Sequence, residues 1–279
     1  MSVITRSSRD IACRIVTVQL LLARWGVEAA ISNNNGQISD RISQAHQAIA
    51  ATFNSQKIYD YCTKVEYELL CKELGGFCTG TKATLSGRWE SLGVLLWSAN
   101  LTPLMPPYWT QWNREELFRS SKIVPAMAES VANFISRNAD YATRDVREEL
   151  NRSEAWYWRS RCQVLLSLKS EYDANPALQK DRPLPRALTR IMQRLPDAVH
   201  LATERCLDEK IISQIDKTDF DVGGIPYSKL SQESLLQMGR IAENRMSAFG
   251  WLCGNEWDVD EENGVAFVNP MSSVWSPVQ

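Results

Sequence analysis

A chain of 279 residues, 44% hydrophobic and 23% charged, is long enough to bury a core without a disulfide or metal staple, and a net charge of −2 gives it no global basic field to draw in nucleic acid. Seven cysteines (Cys13, Cys62, Cys71, Cys78, Cys162, Cys206 and Cys253) are odd in number and widely spaced, with no Cys-x-x-Cys pair and no secretory signal ahead of them, so they read as reduced thiols in the cytoplasm. With two histidines, His46 and His200, a His-rich metal site is excluded, and no apolar run approaches the roughly 20 residues of a membrane span.

The opening stretch carries Arg6, Arg9, Arg14 and Arg24 against a single acid, Asp10. Mitochondrial presequences share that composition, which keeps the mitochondrial matrix as the alternative location. Ile11, Ile15, Val18, Leu22 and Trp25 nevertheless fall at helical spacing, so the segment reads as a structural helix over 9–26. Asn33-Asn34-Asn35-Gly36 forms a loop. Helices are expected over 38–54 and 56–74, the second closed by Gly75-Gly76. Residues 81–100 form a strongly apolar helix whose Leu85, Trp89, Leu92, Leu95, Leu96 and Ala99 wrap more than one face, which places it at the centre of the molecule. Pro103, Pro106 and Pro107 then impose a loop packed on the core.

Helix resumes over 122–138 and 140–174, ending before Asn175-Pro176. Pro183 and Pro185 mark a break, and 186–211 is helical with Pro196 kinking or splitting it. The stretch DFDVGGIPYSKLS reads as a loop, Ser231 caps a helix running to about Leu252, and Gly254 stops it. The tail is irregular, with at most a small hairpin at Asn263-Gly264. The expected class is all-α: one multi-helix bundle around the helix 81–100, a single domain over 1–279, with 1–8 and 262–279 as irregular tails.

Three constellations have the residue types of a polar site in apolar surroundings. Arg88 and Glu90 stand two apart on the central helix and point to different faces, so each needs its own partner. They are the candidate catalytic pair, Arg88 as a substrate anchor and Glu90 as an acid–base group, against a structural reading as ion pairs tying helices together. In Glu154–Arg161 the aromatic residues Trp156, Tyr157 and Trp158 stand next to Arg159 and Arg161, which makes an aromatic pocket with an anion anchor or a core seam capped by guanidinium groups. The same pairing of aromatics and arginines is compatible with single-stranded nucleic acid through Arg144, Arg147, Arg152, Arg159 and Arg161, a reading that the negative net charge opposes. Arg245 and Trp251 close the last helix, and Trp257 and Asp258 follow in an acidic run lacking the glycine and distal glutamate of a calcium loop. The candidate substrate-binding set is therefore Trp89, Trp97, Trp156, Trp158, Arg159, Arg245, Trp251, Trp257 and Asp258, with no metal and no cofactor. Phosphate-loop, dinucleotide, nucleophile-elbow and zinc motifs are all missing.

The segments RSSRDIACRI, GRWESLGVLLWSANL, EAWYWRSR and ENRMSAFGWLCGNEWDVD follow one another in an order that resembles the domain-of-unknown-function family 4272, in its fungal type, over about residues 6–260. Arg88, Glu90, Trp97, Arg245, Trp251, Trp257 and Asp258 match that pattern, whereas Gly87, Gly93 and Val259 depart from it. The resemblance implies a helical fold and no activity. The function expected is thus a helical scaffold or interaction protein with a protein partner. The alternative is a cofactor-free isomerase or cyclase acting on a small apolar ligand. That alternative requires a closed apolar cavity of roughly 300–1,000 Å³ with Arg88 or Glu90 at its wall.

Overall fold

A computed structural model describes residues 6–121, 130–139, 144–181, 183–213 and 218–257. These residues form α1 (Ser8–Asn33), α2 (Asp40–Ser55), a 3₁₀ turn (Ile58–Tyr61), α3 (Lys64–Cys71), α4 (Thr79–Ser98), α5 (Arg114–Ser121), α6 (Val131–Ala139), α7 (Arg147–Ala174), α8 (Pro176–Asp181), α9 (Arg186–Asp208), a hairpin of β1 (Asp221–Val222) and β2 (Ile225–Pro226), a second 3₁₀ turn (Tyr227–Lys229) and α10 (Gln232–Leu252). The chain is all-α, as its periodicity indicates. Where the sequence reads as one domain, the packing groups the described chain into two compact units: residues 6–146 with 247–257, and residues 147–246.

The first unit is organised by α1, which packs against α4, α6, α2 and α3. Its start follows from a capping box: the Ser7 hydroxyl accepts the Asp10 N–H at 3.1 Å, and the Asp10 carboxylate accepts the Ser7 N–H at 3.1 Å. The helix continues past Gly26 to Asn33 because Val27, Glu28 and Ile31 still face the interior. Among the described residues α1 is the helix long and apolar enough to cross a membrane by length and composition, which corrects the reading that no run comes close; 67% of its most apolar stretch is buried within the fold. That apolar stretch is hard to see in the sequence because Arg14, Gln19 and Arg24 interrupt it.

The segment 56–74 is not one helix. Lys57 adopts a left-handed conformation, a 3₁₀ turn follows, and α3 starts afresh from a second capping box between Thr63 and Glu66. It ends at Cys71, where the backbone that follows is hydrogen-bonded to a buried ion pair on α1. Arg24 and Glu28, one turn apart on α1 and both buried, meet at 2.5 Å. Arg24 also donates to the carbonyls of Lys72 (3.2 Å) and Glu73 (2.9 Å), and Glu28 accepts the N–H groups of Gly75 (2.8 Å) and Phe77 (3.3 Å). The loop is thereby held against α1, and α4 starts from it with the Cys78 thiol as its cap.

As expected, α4 is buried on almost every side from Leu85 onward. The proline-rich segment after it is a loop that returns Tyr108 and Trp112 to the core. Helix then resumes earlier than the sequence reading has it, at Arg114, because the Asn113 side chain accepts the N–H groups of Glu115 and Glu116.

In the second unit α7 packs on α9 and on the short α8. Pro196 does not split α9, whose buried face runs from Met192 through Leu195, Val199 and Ala202 to Cys206. The stretch read as a loop contains the hairpin, turned by Gly223 and Gly224, both at positive φ. Of the expected tails 1–8 and 262–279, residues 1–5 and 262–279, with the Asn263-Gly264 hairpin, lie outside the described residues, whereas Ser7 and Ser8 belong to the start of α1 because Ser7 caps it.

One glycine on α4 is set by close approach. A Cβ on Gly93 would lie 2.2 Å from the Trp112 indole. Helix propensity alone favours alanine by about 1 kcal/mol. Gly93→Ala is nevertheless expected to destabilise the protein by about 1–3 kcal/mol, because the indole and its loop must move. Gly80→Ala, whose Cβ would meet the Cys78 sulfur at an ordinary 3.8 Å, serves as the control. Urea midpoints measure both, and an unchanged midpoint for Gly93→Ala would contradict this packing.

Candidate functional site

Three of the residues singled out in the sequence, Arg88, Trp251 and Trp257, come together in the first unit, joined by Arg6 and Arg14. The guanidinium of Arg88 lies 4.7 Å from the Trp257 ring centre, that of Arg14 lies 5.0 Å from Trp257 and 5.6 Å from Trp251, and that of Arg6 lies 5.1 Å from Trp251. The two indoles meet edge to face at 5.7 Å. Trp251 and Trp257 are only 5% and 4% exposed, and both contribute to the lining of the cleft beside them. The cations are engaged as well: Arg6 donates to the carbonyls of Trp251, Gly254 and Asn255 at the end of α10, and Arg14 pairs with Glu66 at 2.6 Å. A cleft of about 370 Å³ beside this ladder is lined by Arg6, Arg9 and Arg14 against Asp10, Asp60 and Glu256, a balance of charge that selects neither anion nor cation. The ladder clasps the segment 247–257 to α1 and α4, with each cation–π contact contributing on the order of 0.5–2 kcal/mol. Asp258 lies outside the described residues.

The other candidates on α4 diverge from Arg88. Glu90 is buried, and its carboxylate accepts the Trp112 backbone N–H at 3.1 Å. Trp89 packs edge to face on Phe118 at 4.9 Å and on Trp25 at 6.4 Å, with Arg114 over both indoles. Trp97 meets Phe249 at 6.2 Å beneath Arg144. The spacing of Arg88 and Glu90 correctly separates their faces, and each face carries its own partner.

Trp156, Trp158, Arg159 and Arg245 belong to the second unit and are all buried. Arg159 forms a two-pronged pair with Asp219, 2.6 Å from Nε to Oδ1 and 2.7 Å from Nη2 to Oδ2. It also donates to the Gln163 side chain and lies 4.5 Å from the Tyr227 ring centre. Asp219 accepts the N–H groups of Phe220 and Ser228, both at 2.8 Å. Burial raises the Asp219 pKa, but the Arg159 bonds and charge together with Ser228 outweigh it and hold the carboxyl below the usual aspartate value. Trp156 closes the cluster against Phe220 at 5.2 Å and Tyr227 at 6.3 Å.

The feature that the sequence reading misses is a groove of about 380 Å³ between α7 and α10. Val164 and Leu168 on α7 and Leu236 on α10 are 48%, 49% and 56% exposed, and Leu235 and Gly239 complete the apolar surface. Tyr157, Arg161, Arg240 and Glu243 stand toward one end, and Glu171 and Gln232 toward the other. Val164, Leu168 and Leu236 occupy helical positions like those of any core residue, so pattern alone cannot mark them as exposed. Among the described residues no group of three or more His, Cys, Asp or Glu is placed to hold a metal ion.

The Arg159–Asp219 pair gives a test of what holds the α10 wall of this groove in place. Arg159→Met leaves a buried carboxylate without its cation and is expected to cost about 3–5 kcal/mol, much of it recovered in Arg159→Met/Asp219→Leu. Because the folded-state pKa of Asp219 is depressed, its stabilising effect is complete above the ordinary value of 3.8 and is lost as pH falls through the folded value. Denaturation across pH 2.5–6 should therefore show wild-type stability falling more steeply below about pH 4 than that of Asp219→Asn. Equal slopes would remove this assignment.

Compared with family models, curated proteins and solved structures, the chain matches none, so the reading of its function rests on this geometry.

Proposed function

We propose that the protein is a helical interaction protein whose α7–α10 groove receives an apolar helical segment of a protein partner. One observation carries the reading: three large aliphatic side chains, Val164, Leu168 and Leu236, stand about half exposed around a single groove with polar ends. Covering apolar surface contributes roughly 25 cal/mol per Å², and clustered exposure of this kind marks contact sites. A trough walled by two helices fits the helix-in-groove mode of recognition. From Tyr157 to Glu171 the α7 wall extends over ~21 Å, the length of about four helical turns.

The enzyme alternative has less support. It requires Arg88 or Glu90 at the wall of an apolar cavity. Glu90 instead accepts a backbone N–H, Arg88 covers Trp257, and neither lines the groove. Seven free cysteines fit a reducing compartment, and we place the protein in the cytoplasm on that basis. A relationship to the domain-of-unknown-function family 4272 is proposed on the motifs around Arg88–Glu90 and Trp251–Asp258 alone, without a matching family model, and adds no activity to this reading.

The reading is tested with a photo-crosslinking residue at position 164, introduced in the native host, followed by purification of the crosslinked protein and measurement of its affinity for the wild-type chain. Leu168→Asp and Leu236→Asp are each expected to weaken that affinity at least about tenfold, as anchor residues do, while leaving helical circular dichroism intact. A partner that binds both variants as tightly as wild type, or crosslinks that yield no protein partner, would refute the groove as the contact site.

A further inference from the structure

Several aromatic rings of this chain carry one of its own arginines over the ring face. Arginines lie over Trp25, Phe77, Trp89, Trp97, Phe134, Tyr227, Trp251 and Trp257. One aromatic cluster departs from this pattern. Phe53 near the end of α2, Tyr59 in the first 3₁₀ turn and Tyr67 on α3 meet around a pocket of about 390 Å³ in the first unit. Phe53 contacts Tyr59 at 5.9 Å with the rings near perpendicular, and Tyr67 at 5.8 Å with the rings tilted by 51°. Phe53 is buried and forms the floor, while Tyr59 and Tyr67 are 39% and 48% exposed and form the walls. Among the described residues no guanidinium or ammonium group lies over these three rings.

The polar lining of the pocket is uncharged. Burial, followed by the nearby Arg24 charge, pushes the pKa of His46 below the ordinary histidine value, so His46 is neutral at pH 7. A hydrogen bond with the Cys71 thiol pushes the Tyr67 phenol up, so it too stays neutral. No lysine, arginine, aspartate or glutamate lines the pocket. What remains to select a ligand is the negative face of the aromatic rings. With no carboxylate to compensate a strongly hydrated ammonium for its lost water, this arrangement favours a weakly hydrated, alkylated cation.

We propose that the pocket of Phe53, Tyr59 and Tyr67 is a binding site for a trimethylammonium group. The rings enclose the alkylated cation, and His46 and Cys71 offer polar atoms to the short tail that follows it. The site is independent of the α7–α10 groove and uses none of its residues.

The probe is choline, titrated into the full-length protein by calorimetry and by ligand-observed NMR, with 3,3-dimethylbutan-1-ol as its uncharged isostere. Saturable choline binding at least about tenfold tighter than that of the isostere is expected, since only the cation responds to the ring faces. Tyr59→Ala and Tyr67→Ala should each weaken choline binding about fivefold or more, whereas Tyr67→Phe, which keeps the ring, should retain it. Should either alanine variant fail to fold, Tyr59→Leu and Tyr67→Leu preserve bulk without the aromatic face and answer the same question. Phosphatidylcholine vesicles form a second arm. Cosedimentation abolished by the same substitutions would assign the group to a lipid head, and choline binding without cosedimentation would assign it to a free solute. Equal affinity for choline and the isostere, or saturable binding of neither choline nor vesicles, would overturn the proposal.

Discussion

A guanidinium taken out of water must find both its counter-charge and its hydrogen-bond acceptors inside the protein, and each compact unit is built around one that does. In the first, Arg24 and Glu28 stand on one face of α1 and together engage carbonyl and N–H groups from Lys72 to Phe77. That loop delivers α4, and α4 in turn holds the returning proline-rich segment through Glu90 and the gap at Gly93. In the second, Arg159 binds Asp219, whose remaining acceptor capacity goes to Phe220 and Ser228. The hairpin and the approach to α10 are set by that carboxylate. A buried pair contributes little net stability against an apolar replacement, yet misplacing either partner strands a charge, so such pairs specify position more than they stabilise.

Around these pairs the chain uses a second device, arginine over an aromatic ring. The Arg6, Arg14 and Arg88 ladder fastens the end of α10, while Arg114 and Arg144 cover Trp89, Trp25 and Trp97. These contacts allow bulky indoles near the surface to be sealed without further apolar chain. In two regions uncovered side chains gather around a pocket. In the α7–α10 groove aliphatic side chains face outward, and in the Phe53–Tyr59–Tyr67 pocket rings stand without a cation. The reading of function follows those two regions, because in each the exposed side chains gather around one pocket.

Several local choices were readable from composition alone. Ser231 at the head of α10 is a capping residue whose side-chain oxygen accepts an early helix N–H. Burial of α4 on nearly all sides was written in its leucines and tryptophans, and divergence of Arg88 and Glu90 in their spacing. Less readable were elements governed by distant groups. The break between Gln56 and Lys64 depends on a left-handed Lys57 and on the Thr63 box, and the backbone that follows α3 is hydrogen-bonded to Arg24, nearly fifty residues away. The Gly223-Gly224 turn was visible as a turn, but the two-residue strands beside it are too short to carry a periodic signal.

The sequence by itself determined the helical class, most of the helices and the residue types that cap and fill them, because hydrophobic spacing and capping act over a few neighbouring residues. Only the tertiary structure decided what the aromatic and charged residues are for. Trp251 and Trp257 are spent on arginines, Arg159 on Asp219, and Glu90 on a backbone N–H, while Val164, Leu168 and Leu236, identical in pattern to core residues, are left in solvent. The reason is that burial and pairing depend on which helices meet, and a helical period reports that a face is apolar without reporting what covers it.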